Sequence, residues 1–168
     1  MPAFHLAQVN IGRMLGPIES EVMADFVANL DAINALAERT PGFVWRLKTE
    51  DDNATAIRPY DDERIIVNLS VWENAEALHG YVYQSAHVEI MRRRREFFSR
   101  MTEAFMVLWW VPAGHVPPVQ EAVDRLAYLR VNGPTPHAFT FKQRFPAPDA
   151  AAEADTESRD LSGGCPAV

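Results

Sequence analysis

Four uncharged polar residues stand where strands read as oily. Gln8 and Asn10 fall two apart in the run Phe4–Ile11, and Asn68 and Ser70 fall two apart in the run Arg64–Trp72. Residues two apart share one face of a strand. Side by side in a sheet, the four would set amides and a hydroxyl into an apolar wall. That is how a pocket fixes a ligand's orientation. The structural alternative is that they hydrogen-bond one another, water or a partner subunit.

Moving a proton near neutrality calls for a group such as histidine, with an ordinary pKa of about 6.5. His87, early in a helical segment, and His115, just after Gly114 at a strand end, are the candidates for a general acid or base. Their structural alternatives are a helix-start ring bonded to backbone and a turn ring that caps the next helix. His79 lies eight residues before His87, but a helix break between them would separate the rings, so no metal pair is read. Arg92–Arg95 point about 100° apart around a helix, so at most one or two can face a pocket. Arg94 is the one assigned there, to hold a carboxylate or oxyanion. The plainer reading is a solvated face with an i, i+4 pair such as Glu89–Arg93; Glu121–Arg125 has the same spacing. Trp72 and Trp110 would serve as walls for a planar ligand. Trp109 and Trp110 are adjacent, so they face opposite ways.

The elements that position these residues follow from periodicity. Phe4–Ile11 alternates as a strand, and Ile18–Arg39 shows helical spacing through Val22, Phe26, Leu30, Ile33 and Leu36. Thr40-Pro41-Gly42 stops that helix. Phe43–Lys48 is a short strand, Thr49–Asp62 a polar loop, and Arg64–Trp72 the clearest strand. Glu73 to about Met101 reads as helix, but one straight rod would run roughly 43 Å. A bend near Gln84-Ser85 is therefore expected, with His87 opening the second segment. Ala104–Val111 is a strand. Pro117 or Pro118 opens a further helix to about Arg130, and His137–Phe145 is a last strand. The order is βαββαβ with an appended helix and strand. It predicts an α+β, ferredoxin-like fold with helices on one sheet face. The other face is too apolar to stay wet, with Phe4, Leu6, Ile66 and Trp72 as its candidates. A second copy is its economical cover, giving a homodimer.

At 168 residues and 48% hydrophobic the chain suits one domain with a sizeable core. Residues 1–148 form that domain, and 149–168 are small, acidic and too poor in apolar groups to order themselves. Net charge −7 argues against a nucleic-acid partner. No apolar run is long enough to span a membrane and no secretory leader is visible, so a cytoplasmic protein is expected. The lone Cys165 has no fixed base beside it.

The segment VWENAEALHGYVYQSAHVEI, with Trp72, Ser85 and His87, resembles antibiotic-biosynthesis-monooxygenase-like domains, in which a strand ending in Trp leads to a helix and a Ser-x-His step. The longer stretch MRRRREFF … VLWWVPAGHVPPVQEAVDRLAYLRVNGPTPHAFTF resembles one bacterial family within that superfamily, known only as a domain of unknown function. The likeness runs from about Phe4 to Pro148. It implies a dimeric α/β barrel with a cavity between sheet and helices. Haem-degrading members carry a ligating His on the helix after the Trp; counted from Trp72, that position falls near Met91, not at His87.

Three functional readings follow. The first is a monooxygenase-like oxidoreductase acting on an apolar or aromatic small molecule, with His87 or His115 moving the proton and no cofactor needed if the substrate forms a stabilised carbanion. The second is a haem enzyme with a histidine axial ligand, and the third a non-catalytic binder of a hydrophobic metabolite. No Walker or GxGxxG motif supports a nucleotide.

Overall fold

A computed structural model describes residues 2–84 and 87–150. In chain order the elements are β1 (Phe4–Arg13), α1 (Ala24–Arg39), β2 (Phe43–Arg46), β3 (Ile65–Trp72), α2 (Ala75–Gln84), α3 (His87–Arg92), α4 (Arg94–Phe97), β4 (Met106–Pro112) and α5 (Val119–Asn132). The strands form one antiparallel sheet in the order β2-β3-β1-β4. This is the ferredoxin-like α+β arrangement that the βαββαβ order predicts.

Register decides which side chains meet. Across β1 and β3, Leu6 pairs with Trp72, Gln8 with Ser70 and Asn10 with Asn68. On the other flank of β1, Leu6 pairs with Trp110 and Gln8 with Leu108. With period two, these residues share one face, and Ala7, Val9, Ile11, Val67, Leu69, Val71, Val107 and Trp109 share the other. Helices α1 and α2 cover the first face, where Ala37, Leu78 and Tyr81 cluster with Leu6, Trp72 and Leu108. On the second face Ala122, Leu126 and Leu129 of α5 pack over Val9, Val67 and Trp109.

Part of the cover expected from a second copy is supplied within the same chain. Helix α5 carries its own apolar stripe at helical spacing and lays it on the second face. Phe4, Leu6, Ile66 and Trp72, expected on an uncovered face, lie by register on the α1–α2 side.

Several boundaries differ from expectation for local reasons. Residues 17–20 close a turn, with the Ser20 amide and hydroxyl both donating to the Pro17 carbonyl. A 3-10 turn, Glu21–Met23, then leads into α1. The Thr40-Pro41-Gly42 stop holds: Gly42 has φ +88°, and a Cβ there would lie 2.5 Å from that of Ala77. Only glycine tolerates both the conformation and the approach. The long helix divides as expected between α2 and α3, although the joint and Ser85 lie outside the described residues. It breaks again at Arg93, and Phe98 then runs extended and bridges Met14. The helical stretch therefore ends at Phe97 rather than Met101.

The expected last strand is reduced to a bridge. Phe139 exchanges two backbone hydrogen bonds with Leu108 at 2.8 and 2.9 Å, while tight bridges Thr135–Ala138 and Thr140–Gln143 curl the chain on either side. The outer edge of β4 is thus covered by a loop, which blocks further strand pairing there. Most of the expected tail, with Cys165, lies outside the described residues.

Candidate functional site

A cavity of about 170 Å³ lies between the Gln8–Ser70 face of the sheet and helices α1 to α3. Its floor includes Gln8, Asn10, Asn68, Ser70 and Trp72, and its roof includes Phe26, Leu30 and Ile33 of α1. This explains an oddity of α1: Ala37 is its one fully buried residue. The helix points its apolar stripe at open space rather than at close-packed core.

The four polar strand residues form one connected network. The Gln8 amide donates to Ser70 Oγ at 2.8 Å and to Asn68 Oδ1 at 3.1 Å. Asn10 donates to Gln8 Oε1 at 3.1 Å, and the Trp72 indole N–H to Ser70 Oγ at 2.9 Å. Gln8 and Ser70 are buried, so these bonds spare them the penalty of an unpaired buried polar group. Asn68 is exposed, at the mouth. Each residue also lines the cavity. The network is therefore a fixed patch of amides and a hydroxyl in an apolar wall.

An aromatic stack closes the end of the cavity near α2. Trp72 stacks on Tyr81 with centroids 5.1 Å apart, and Tyr81 meets the His87 ring at 4.8 Å. Burial lowers the pKa of His87, opposed in part by a backbone hydrogen bond with Val82. Its imidazole is neutral at pH 7 and able to accept a proton. Burial raises the Tyr81 phenol far above its ordinary value, and its hydroxyl donates to the Ile33 carbonyl at 3.3 Å. Tyr81 is a wall, not a base.

Of the arginine run, Arg94 lines the cavity. Its Nη2 donates to the Ile11 carbonyl at 3.0 Å, and its guanidinium lies over the rings of Phe98 and Phe105, 5.2 and 4.6 Å from their centroids. The surface pairs differ from those the spacing suggests. Glu89 pairs with Arg92 at 2.8 Å, while Arg93 reaches Asp25 and Glu96.

Trp110 and His115 are not brought to this cavity. Trp110 shares the face of Trp72 but sits on β4, where its indole N–H donates to the Phe145 carbonyl at 2.9 Å beneath the loop after α5. His115 lies at the foot of α5, with Nε2 2.8 Å from a Glu121 carboxylate oxygen. The other Glu121 oxygen accepts from Trp109 at 2.9 Å, so the expected Glu121–Arg125 pair gives way. Arg125 donates instead to the His137 carbonyl at 2.6 Å.

Tyr81, Asn29, Asn34 and Phe105 also line the cavity, and none was singled out from sequence. Tyr81 had a signal: it shares a helical stripe with Leu78 and Val82, facing the sheet. The His87 ring lies against Tyr81, and the cavity is close to the roughly 150 Å³ that takes one benzene ring. Among the described residues, no three His, Cys, Asp or Glu side chains converge as a metal site. No helix among them is long and apolar enough to cross a membrane.

Comparison with known proteins adds the following. No curated protein matches the chain. Among solved structures, it is similar to SnoaB, a cofactor-independent oxygenase from Streptomyces nogalater, at 20% identity and TM-score 0.45, over 69% of this chain and 99% of that one. It is similar to the monooxygenase ActVA-Orf6 of Streptomyces coelicolor, solved with nanaomycin D, at 16% identity and TM-score 0.43, over 70% and 96%. Rv0793 from Mycobacterium tuberculosis matches at 14% identity and TM-score 0.43, over 68% and 99%. The family model described as Domain of unknown function (DUF3291) matches residues 5–156, and the chain belongs to that family.

Proposed function

We propose that the chain binds a ring-bearing, largely apolar small molecule between the sheet and α1–α3, and oxidises it with dioxygen. The observation that carries this reading is the Gln8–Asn10–Asn68–Ser70 network, a fixed polar patch in the wall of an otherwise apolar cavity. Such a patch orients a substrate oxygen. His87, neutral at the Tyr81 end of the same cavity, takes the proton from a carbon acidified by that oxygen. The resulting carbanion passes electrons to dioxygen and combines with it. The peroxide, once protonated, loses water and leaves a new carbonyl: one CH2 and one O2 become one C=O and one H2O. The homodimer expected from the sequence stays part of the proposal. Localisation in the cytoplasm is part of the same proposal.

The network also satisfies itself internally, and that observation favours a second reading, a non-catalytic binder of the same class of molecule. One assay separates the two. Ring ketones with acidic C–H bonds are incubated with the protein, while deuterium exchange is followed by NMR and oxygen uptake by electrode. The oxygenase reading expects both above buffer rates, and both lowered about 100-fold or more in His87→Gln. Binding without either signal leaves only the second reading. Exchange without oxygen uptake overturns the oxidation.

A further inference from the structure

The chain has 23 acidic residues and net charge −7, yet among the described residues neither Asp nor Glu lines the cavity, whereas Arg46 and Arg94 do. Arg46 is already matched, by Glu38 at 2.9 Å and Asp52 at 3.0 Å. For Arg94, no carboxylate among the described residues lies within the 4.0 Å of an ion pair. Its contacts are the Ile11 carbonyl and two ring faces. Its neighbour Arg93 shows the contrast, with Asp25 and Glu96 both at 2.8 Å. Those carboxylates raise the pKa of Arg93, while burial alone acts on Arg94 and lowers it. A guanidinium has five N–H donors, and taking it partly out of water without an anion is unfavourable.

We propose that the ligand of this cavity is an anion, an apolar ring body bearing a carboxylate that pairs at two points with the Arg94 guanidinium. This rests on the reading that the cavity is the ligand site, and it adds the ligand's charge and orientation. The carboxylate lies at the Phe98–Phe105 end, where Asn10 is next in the chain to the carbonyl that anchors Arg94. The ring body extends from there along Ile66 and Leu30 towards Trp72. Planar, two-point recognition is what arginine offers and lysine does not.

The test uses the full chain and three probes of one shape: phenylpropanoate, phenylpropanol and phenylpropylamine, titrated by NMR. The anion is expected to bind about 10- to 100-fold more tightly than the alcohol, and the amine more weakly still. Arg94→Met is expected to erase the preference for the anion, and Arg94→Lys to keep only part of it. Should the Met variant fail to fold, wild type and Arg94→Lys carry the comparison. An alcohol that binds wild type as tightly as the acid, with shifts at Gln8 and Asn68, overturns the anion assignment and leaves the cavity reading intact. A preference that survives in Arg94→Met also overturns it. Failure of all three probes to bind overturns both readings.

Discussion

The two faces of the sheet are built from the same strands and solve opposite problems. Towards α5, the side chains from Ala7 to Ile11, Val67 to Val71 and Val107 to Val111 are all apolar and all buried. Towards α1 and α2, the alternate positions of the same stretches hold Gln8, Asn10, Asn68 and Ser70 around open space. One face is close-packed and the other is hollow. Period two lets a single strand serve both, because each residue contributes to one face only. Stability and ligand chemistry are thereby assigned to different residues of the same backbone, and substitutions on the two faces have different consequences.

The largest effect belongs on the packed face. Trp109 is 0% exposed, contacts α5 and donates to Glu121. Trp109→Ala is expected to remove about 3–5 kcal/mol of stability, read by urea denaturation. On the hollow face, Leu30→Ala loses little packing, because its side chain already borders the cavity. Well under about 2 kcal/mol is expected there. Equal losses at the two sites would mean that the cavity is filled by core side chains and the contrast is false.

Gln8→Glu sharpens the comparison from the hollow side. The substitution keeps the shape and still accepts from Asn10, but it loses the donors to Ser70 and Asn68. It also places a carboxylate in a lining that has none among the described residues. The expected result is a stability loss of about 1–3 kcal/mol together with a fall of more than about 10-fold in phenylpropanoate affinity by NMR titration. Unchanged affinity would remove the network from ligand recognition.

How much of this was legible in the sequence varies with what each inference needed. The four polar positions stood out because strand alternation fixes which residues share a face, and a sheet preserves that from one strand to the next. The cover on the apolar face was not legible. Helix α5 has an apolar stripe, but a stripe does not say whether its own sheet or another chain receives it. Trp110 illustrates the same gap. Its parity with Trp72 is right, yet its lateral place, on β4 under the loop that binds its indole, depends on how residues 135–145 fold back. Which arginine of the run enters the cavity depends on the break at Arg93, and no residue type there announces a break. His115 was read from its position at a strand end. Its partner, Glu121, lies in the first turn of α5, and that proximity was the overlooked sign of a structural pair.

Acidification gives a smaller effect with a definite sign. His87 titrates near 6.5 when unfolded, and its folded value is lower. Between those values the unfolded chain binds more protons, so stability rises with pH, is complete above about 6.5 and is lost as pH falls below it. His137 is lowered as well, first by burial and then by Arg125, and contributes in the same direction. The melting temperature should drop as pH falls below about 6.5, and His87→Gln should flatten part of that drop while His137 sustains the remainder. The depressed carboxylates Asp52, Asp62 and Glu96 act only at lower pH. A slope in wild type unchanged by His87→Gln would place His87 in water rather than against Tyr81.

The smallest expected effect is none. If the packed face is sealed by α5, nothing about the hollow face depends on a second copy of the chain. Gln8, Asn68, Leu30 and Arg94 of one chain already meet around the cavity. Dilution through the range in which any dimer dissociates, followed by light scattering against the 18.9 kDa of one chain, should then leave phenylpropanoate affinity unchanged. A fall in affinity that tracks dissociation would show that a partner completes the site, and that α5 seals the sheet without making one chain sufficient. Because α5 and the cavity lie on opposite faces, the same titration on Leu126→Ala, which weakens the seal by about 2–5 kcal/mol, should change stability but not affinity. Affinity lost along with the seal would mean that the two faces are coupled through the strands they share.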